Sequence, residues 1–347
     1  MDNSRQGVAC LAVGTILFGW GSVTEAQIGR LLQGAGSAFA FVGAVYLAAH
    51  GFPGRYLATA VGATQSFGML GGSAGQFAVS PIVHRVIGWR DFWMYSGVAV
   101  FVLAIIMFIA TPPEKDRSAA SAASQGTLLE MFVPYKTVLS NPQSYICGFC
   151  AGLLFLPTTV SDMIWGVPLL EHGFGVEHAT AVNRAATVPL GWAFGCPILG
   201  YVADRIGRRK PVVIVSAIAM LVLVAAIFYL PSFPPYILGF LFGVASGAAM
   251  IPYSIIKEVN PDRVKGSATG AMNFLVFTLS AVAAPIAGWV LQKISGGAAL
   301  NLQIFQQCGL LSLGCILVAI ILAFFLEETG WAARKPEASP LGKPQKA

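Results

Sequence analysis

The stretch "GYVADRIGRRKP", Gly200 to Pro211, sets four cations and one carboxylate in the eleven positions from Gly200 to Lys210, with long apolar runs on both sides. The chain around it is poor in charge. Of its 347 residues, 10% are Asp, Glu, Lys or Arg and 56% are hydrophobic. A soluble domain carries about 25% charged residues, so a water-soluble fold of this composition lacks the polar surface to cover itself. The flanks of the charged stretch therefore read as membrane spans, and the stretch itself as the turn between them.

A bilayer core of roughly 30 Å needs about 20 apolar residues per spanning helix. Ten such runs follow one another, near 7–23, 27–49, 57–82, 92–111, 143–167, 178–201, 211–230, 235–256, 266–291 and 302–326. Short polar breaks, often with Gly or Pro, separate them. The alternating strand pattern of a membrane barrel is missing, which leaves helices. The expected fold is all-α and polytopic. Arg5 precedes the first run, but no small-residue cleavage site leads into a soluble domain, so that run reads as a span and not a signal.

With the first residue placed inside and the sides alternated, 16 of the 21 Lys and Arg fall on the inner face. Arg85, Arg90 and Lys293 fall outside, and Arg30 and Arg184 fall within spans. This asymmetry puts both termini in the cytoplasm, and it accounts for the net charge of +6 without nucleic acid as a partner. The polar stretch 112–142, containing "PPEKDRSAASAASQG", reads as a flexible cytoplasmic linker. It divides the chain into a four-span part, 1–111, and a six-span part, 143–326. Residues 327–347 read as a disordered cytoplasmic tail.

The chain also repeats itself. Residues 53–63, "PGRYLATAVGA", and 261–271, "PDRVKGSATGA", share Pro, Arg, Ala, Gly and Ala at a constant offset of 208. Two positions on, Gln65 faces Asn273. The same offset carries Lys210 to position 2 and Asp204 to a point before Met1. By this arithmetic the first part lacks two spans and roughly 65 residues relative to the second. The sequence is accordingly expected to be an N-terminally truncated copy of a two-part plan.

These residues carry a resemblance. Gly200, Asp204, Arg205, Gly207, Arg208, Arg209 and Lys210 resemble the signature loop of the major facilitator superfamily in its second-half position. "GRLLQGAGSA", with Arg30, Gln33, Gly34 and Gly36, resembles that family's Arg-x-x-Gln-Gly-x-Gly motif in its fourth helix, and "GWRDF", Gly88 to Phe92, looks like its common outer turn. The resemblance implies two bundles related by a pseudo-twofold axis, here with about ten helices (4 + 6), a central cavity and alternating access. "GAGSAFAFVGAVYLAAHGFP" looks faintly like prokaryotic relatives of the lysosomal dipeptide transporters. "GMLGGSAGQ" lacks the proline of the family's antiporter motif.

Two readings of the opening loop stand side by side: a cytoplasmic gate that must open and close, or a basic cluster that only fixes topology. In the first, Asp204 sits near the N-terminus of the span that follows it, 211–230, where a helix dipole favours a carboxylate. Arg205, Arg208 and Arg209 then bridge to carboxylates, carbonyls or lipid headgroups, and Gly200 and Gly207 permit close approach and a sharp turn.

Inside the spans, Arg30 is costly unless it faces the bundle interior or water; Gln33 shares its face, and Glu25 or a substrate carboxylate is its candidate counter-ion. Asp162 and Arg184 fall in the outer third of the membrane at 1.5 Å per residue. They either form a structural ion pair or line a polar pathway with Thr158, Thr159, Trp165 and Asn183. Gln65, Tyr253 and Asn273 either contact a polar solute near the midplane or tie helices together. "GMLGG" and Gly75 give G-x-x-x-G spacings that permit close helix packing.

The six cysteines lie in apolar runs, and Cys147 and Cys150 have no matching ligand pair, so packing is the expected role. Metal spacing, phosphate loops and nucleophile–base constellations are missing; no cofactor and no enzyme activity are expected. The expected function is secondary active transport of a small polar or anionic organic solute across a prokaryotic cytoplasmic membrane, with protons as an open coupling partner (symport). The alternative is a truncated, non-transporting membrane protein or sensor.

Overall fold

The computed structural model describes residues 2–110, 132–230 and 234–333. Most of the expected linker and the last part of the expected tail, with Lys115, Arg117, Arg334, Lys335, Lys343 and Lys346, lie outside them.

The first part is four long helices: α1 Asp2–Trp20, α2 Val23–Gly51, α3 Leu57–Arg85 and α4 Trp89–Ala110. A short helix, α5 Val133–Leu139, leads into the second part. There α6 Pro142–Pro157 continues through two π-helical stretches, Thr158–Ile164 and Leu169–Gly173. Then come α7 His178–Ala185, α8 Thr187–Ile206, α9 Lys210–Tyr229, α10 Pro235–Ser246, α11 Pro252–Glu258, α12 Lys265–Ser295 and α13 Leu302–Phe325. The described elements are all helical, as a lipid-embedded backbone requires, because helices satisfy their own N–H and C=O groups. Among the described residues, seven helical stretches are long and apolar enough to cross a membrane.

Local chemistry sets the boundaries. Asn141 caps α6 by accepting from Gln143 N at 3.0 Å, and Asn301 caps α13 by accepting from Ile304 N at 3.0 Å. Proline at the first turn opens α6, α9, α10 and α11, where its missing N–H costs nothing. Gly207, with φ +71°, ends α8 in the left-handed conformation that only glycine adopts without strain.

The offset of 208 reappears in the backbone. A 3₁₀ turn at Gly54–Tyr56 leads into α3, and one at Asp262–Val264 leads into α12. Adding 208 to 54, 56 and 57 gives 262, 264 and 265, the matching boundaries. The starts of α1 and α9, at 2 and 210, obey the same shift.

The main buried core lies in the second part, around Trp165, Trp192, Phe228, Phe242 and Phe305, and Leu57, Ala58 and Val61 of α3 join it. Exposed Phe, Leu, Ile and Val side chains, such as Phe101, Leu103 and Ile106 on α4 and Val215 and Val222 on α9, face outward where lipid would meet them.

Candidate functional site

Two regions at opposite ends of the molecule hold most of the polar chemistry. At one end α3 of the first part begins against the end of α8 in the second. Glycines allow the contact: a Cβ on Gly62 would lie 2.3 Å from the Cys196 carbonyl oxygen, and one on Gly200 would lie 2.5 Å from that of Ala58.

This closeness delivers Asp204, in the last turn of α8, to the first turn of α3. Its carboxylate accepts from Thr59 N at 2.7 Å, Thr59 Oγ1 at 2.5 Å and Ala58 N at 3.4 Å. Those N–H groups have no partner inside their own helix, and the helix start carries about half a positive charge. The dipole that Asp204 meets is thus that of α3, not that of α9, which follows it in the chain.

Arg209 closes the other side. Its Nη1 donates to Asp204 Oδ1, its Nη2 donates to Glu258 Oε1 at 3.0 Å, and its Nε donates to Glu258 Oε2 at 3.3 Å. The guanidinium side chain is 1% exposed. Burial alone would pull its pKa down, but Glu258 and then Asp204 more than offset this, and the net direction is up. Glu328 Oε1 accepts from the backbone N of Arg209 at 2.8 Å and of Lys210 at 3.2 Å, while Trp331 Nε1 donates to the Asp204 carbonyl at 2.8 Å. Glu328 and Trp331 fall in the stretch expected to be a disordered tail, and both contact the loop. Arg205 and Arg208, expected to bridge like Arg209, are exposed and ion-pair with no described residue.

The opposite end holds two cavities. One, of about 500 Å³, lies wholly within the second part and has Ser161, Asp162 and Arg184 in its wall. Asp162 sits in the π-helical stretch after Pro157, is 6% exposed, and leaves Oδ2 without a hydrogen-bond partner. Arg184 Nε is likewise buried and unpartnered, and the guanidinium stacks over Tyr236 at 5.6 Å. The two groups share one cavity and form no ion pair, so the structural pair weighed from the sequence is not made. Ser161 Oγ is occupied by Ser312 Oγ at 2.6 Å. Trp165 is buried beside this wall and Asn183 is exposed.

The second cavity, about 690 Å³, opens between the two parts and is lined by Gly72, Gly75 and Gln76 of α3, Trp93 of α4, and Val182 and Ala185 of α7. Among the described residues, the G-x-x-x-G glycines pack against no helix: Gly68, Gly71, Gly72 and Gly75 have nothing within 4 Å of a built Cβ.

Of the remaining expected residues, Arg30, Gln33, Tyr253 and Asn273 tie helices together. Arg30 Nη1 donates to Gln33 Oε1 at 3.3 Å, and Gln33 Nε2 donates to Thr15 Oγ1 at 3.4 Å. The Arg30 guanidinium lies over Phe18 at 4.1 Å and Trp93 at 5.2 Å, which joins α1, α2 and α4. Glu25 accepts from Ser22 N at 2.5 Å in its own turn and is not the counter-ion of Arg30. Tyr253 Oη donates to Asn273 Oδ1 at 2.7 Å, and Gln65 is half-buried on α3.

Lys257, one residue before Glu258, is fully buried with Nζ unpartnered. Glu258, Glu328, Thr59 and Trp331, which complete the network around Arg209, are marked by no motif in the sequence. A carboxylate closing an apolar run, as Glu258 does, was the one available signal.

The family model described as Major Facilitator Superfamily matches residues 7–285 and, in a second match, 163–346. A probable 4-methylmuconolactone transporter of Cupriavidus pinatubonensis is 23% identical over 335 residues, covering 94% of this chain and 76% of that protein. A citrate-proton symporter of Klebsiella pneumoniae is 26% identical over 258 residues; the match covers 69% of this chain and 55% of the symporter's length. Among solved structures, the E. coli fucose:proton symporter superposes with a TM-score of 0.67 at 15% identity, covering 94% of this chain and 84% of its own. A bacterial homolog of the human lysosomal transporter Spinster, in an inward-facing conformation, gives 0.62 at 14% identity, with 94% and 82% covered. At these identities the superpositions show the fold alone.

Proposed function

The chain belongs to the major facilitator superfamily, and from that premise we propose that it is a secondary active transporter, moving a small polar or anionic organic solute by alternating access. The observation that carries this reading is the opposition of the two ends. A buried charge network holds α3 to α8 at one end, and a cavity lies open between the two parts at the other. That is the geometry of an alternating-access protein closed on one side. To open the closed side, α3 must leave Asp204, so the loop Gly200–Lys210 acts as a gate and not only as a topological marker.

The closed end also holds most of the described cations: Arg55, Lys136, Arg205, Arg208, Arg209, Lys210, Arg263 and Lys265. This supports placing it in the cytoplasm, with the cavities facing out. Residues 1–111 and 143–326 are then the two rocking units. Two proteins like it are named as proton symporters, for citrate and for fucose, and this supports protons as the coupling ion.

Reconstitution into proteoliposomes tests the proposal. An imposed inward proton gradient should drive accumulation of at least one member of a panel of organic acids and sugars, and a protonophore should abolish it. A panel showing no gradient-driven accumulation, from protein that is monodisperse and thermally stable, sinks the reading.

A further inference from the structure

We infer that the cavity holding Asp162 and Arg184 is a binding site for an organic monocarboxylate with an apolar body. The inference deepens the transporter reading, on which its physiological meaning rests, but binding itself does not require transport. The cavity's volume of about 500 Å³ falls within the roughly 300–1,000 Å³ of small-molecule sites. Its wall is mostly apolar, with Leu170, Phe174, Phe228 and Phe242 among the contributors. An acyl chain or detergent tail would satisfy that wall. It would leave Asp162 Oδ2 and Arg184 Nε unpaired, and a buried polar atom without a partner is expensive.

The charge inventory selects the ligand. Ser161 is already engaged by Ser312, which leaves one cation and one acid. A guanidinium does not give up its proton in proteins, whereas a carboxylic acid can discharge by taking one. The permanent charge in the wall is therefore positive, and the matching ligand charge is a single negative one. Arg184 offers the carboxylate a planar set of N–H donors. Asp162, carrying a proton, can donate to the same group. A dicarboxylate would set its second charge against Asp162 or the apolar wall, and an ammonium compound would face Arg184.

Equilibrium binding of two shape-matched probes, benzoate and benzylammonium, to the purified full chain in nanodiscs decides the matter. Benzoate should bind and benzylammonium should not. Arg184→Gln should weaken benzoate roughly tenfold or more, as expected for one charge-assisted hydrogen bond. Asp162→Asn, which keeps a donor and removes any negative charge, should bind benzoate as well as the parent or better. Thermal melting of each variant separates loss of binding from loss of fold, and Arg184→Lys, which restores the charge, should recover part of the affinity. Preference for benzylammonium, benzoate binding indifferent to Arg184→Gln, or a phospholipid retained by the parent and equally by Arg184→Gln would overturn the assignment. Because the assay needs no gradient, a protein that binds benzoate while accumulating no member of the transport panel would refute the transporter reading and leave the site standing.

Discussion

Asp204 receives four donors from two different parts of the chain, and its side chain is only 3% exposed. Asp204→Ala should therefore destabilise the protein by about 3–5 kcal/mol, the cost of breaking a buried ion pair from one side, seen as a lower Tm. Asp204→Asn keeps an acceptor and should fall between. A Tm unchanged by the alanine variant would show that the network contributes nothing net. Lys257 predicts the opposite sign. Its buried amino group has no hydrogen-bond partner in this state, so Lys257→Met should raise Tm, by about 1–3 kcal/mol, the cost of an unsatisfied buried polar group. A lower Tm would mean that the amino group is satisfied. At this scale the sequence marked Asp204, Arg209 and Gly207 through their spacing. It could not separate Arg209 from Arg205 and Arg208, since that depends on which side of a left-handed glycine turn each side chain leaves. Nor could it find Glu258 or Glu328, which reach the loop only through tertiary packing, 49 and 119 residues away from Arg209.

Helix α3 carries its glycines in two sets with different roles. Gly62 lies against the backbone of α8, while Gly68 and Gly71 face open space. Gly62→Ala should push α3 off α8 and cost about 1–3 kcal/mol, as overpacking does. Gly68→Ala, on the same helix, should be neutral or stabilising by about 0.5–1 kcal/mol, because it lowers the entropy of the unfolded chain. Equal effects of the two substitutions on thermal melting would contradict the packing described. G-x-x-x-G spacing was visible in the sequence for the second set, but spacing does not say which face of a helix meets a neighbour. The span after Pro142 shows a similar limit. Its apolar run was legible, whereas the π-helical stretch at Thr158–Ile164 that turns Asp162 to a cavity has no period of its own in the sequence. Only Pro157, which withholds an N–H from the preceding turn, hints at it; π-turns of this kind often sit at functional sites.

Across the whole molecule the 208-residue shift relates α3 to α12, yet the two crossings are not equivalent. The first turn of α3 is capped by Asp204, and Gly62 lies on α8. Among the described residues no remote carboxylate meets the first turn of α12, and its matching glycine, Gly270, is covered by Tyr135 of α5, 2.9 Å from a built Cβ. The fold symmetry was readable because both windows start long helices at one register; the asymmetry was not, because Tyr135 enters from outside the repeat. The charged crossing at Asp204 then holds one end shut, and rocking about it should open one end as the other closes. Spin labels at Arg55 and Arg208, both exposed at the latched end, should report a short distance in the unliganded protein. Labels at Arg90 and Glu177, exposed at the cavity end, should report a long one. Asp204→Asn should lengthen the first and shorten the second in the same sample. The two distances are coupled because the helices are stiff: α3 runs 29 residues from one end to the other, about 43 Å at 1.5 Å per residue. A displacement at its first turn therefore tilts its last. If the first distance grows while the second stays fixed, the network is a local staple on α3, and alternating access in this chain must pivot elsewhere.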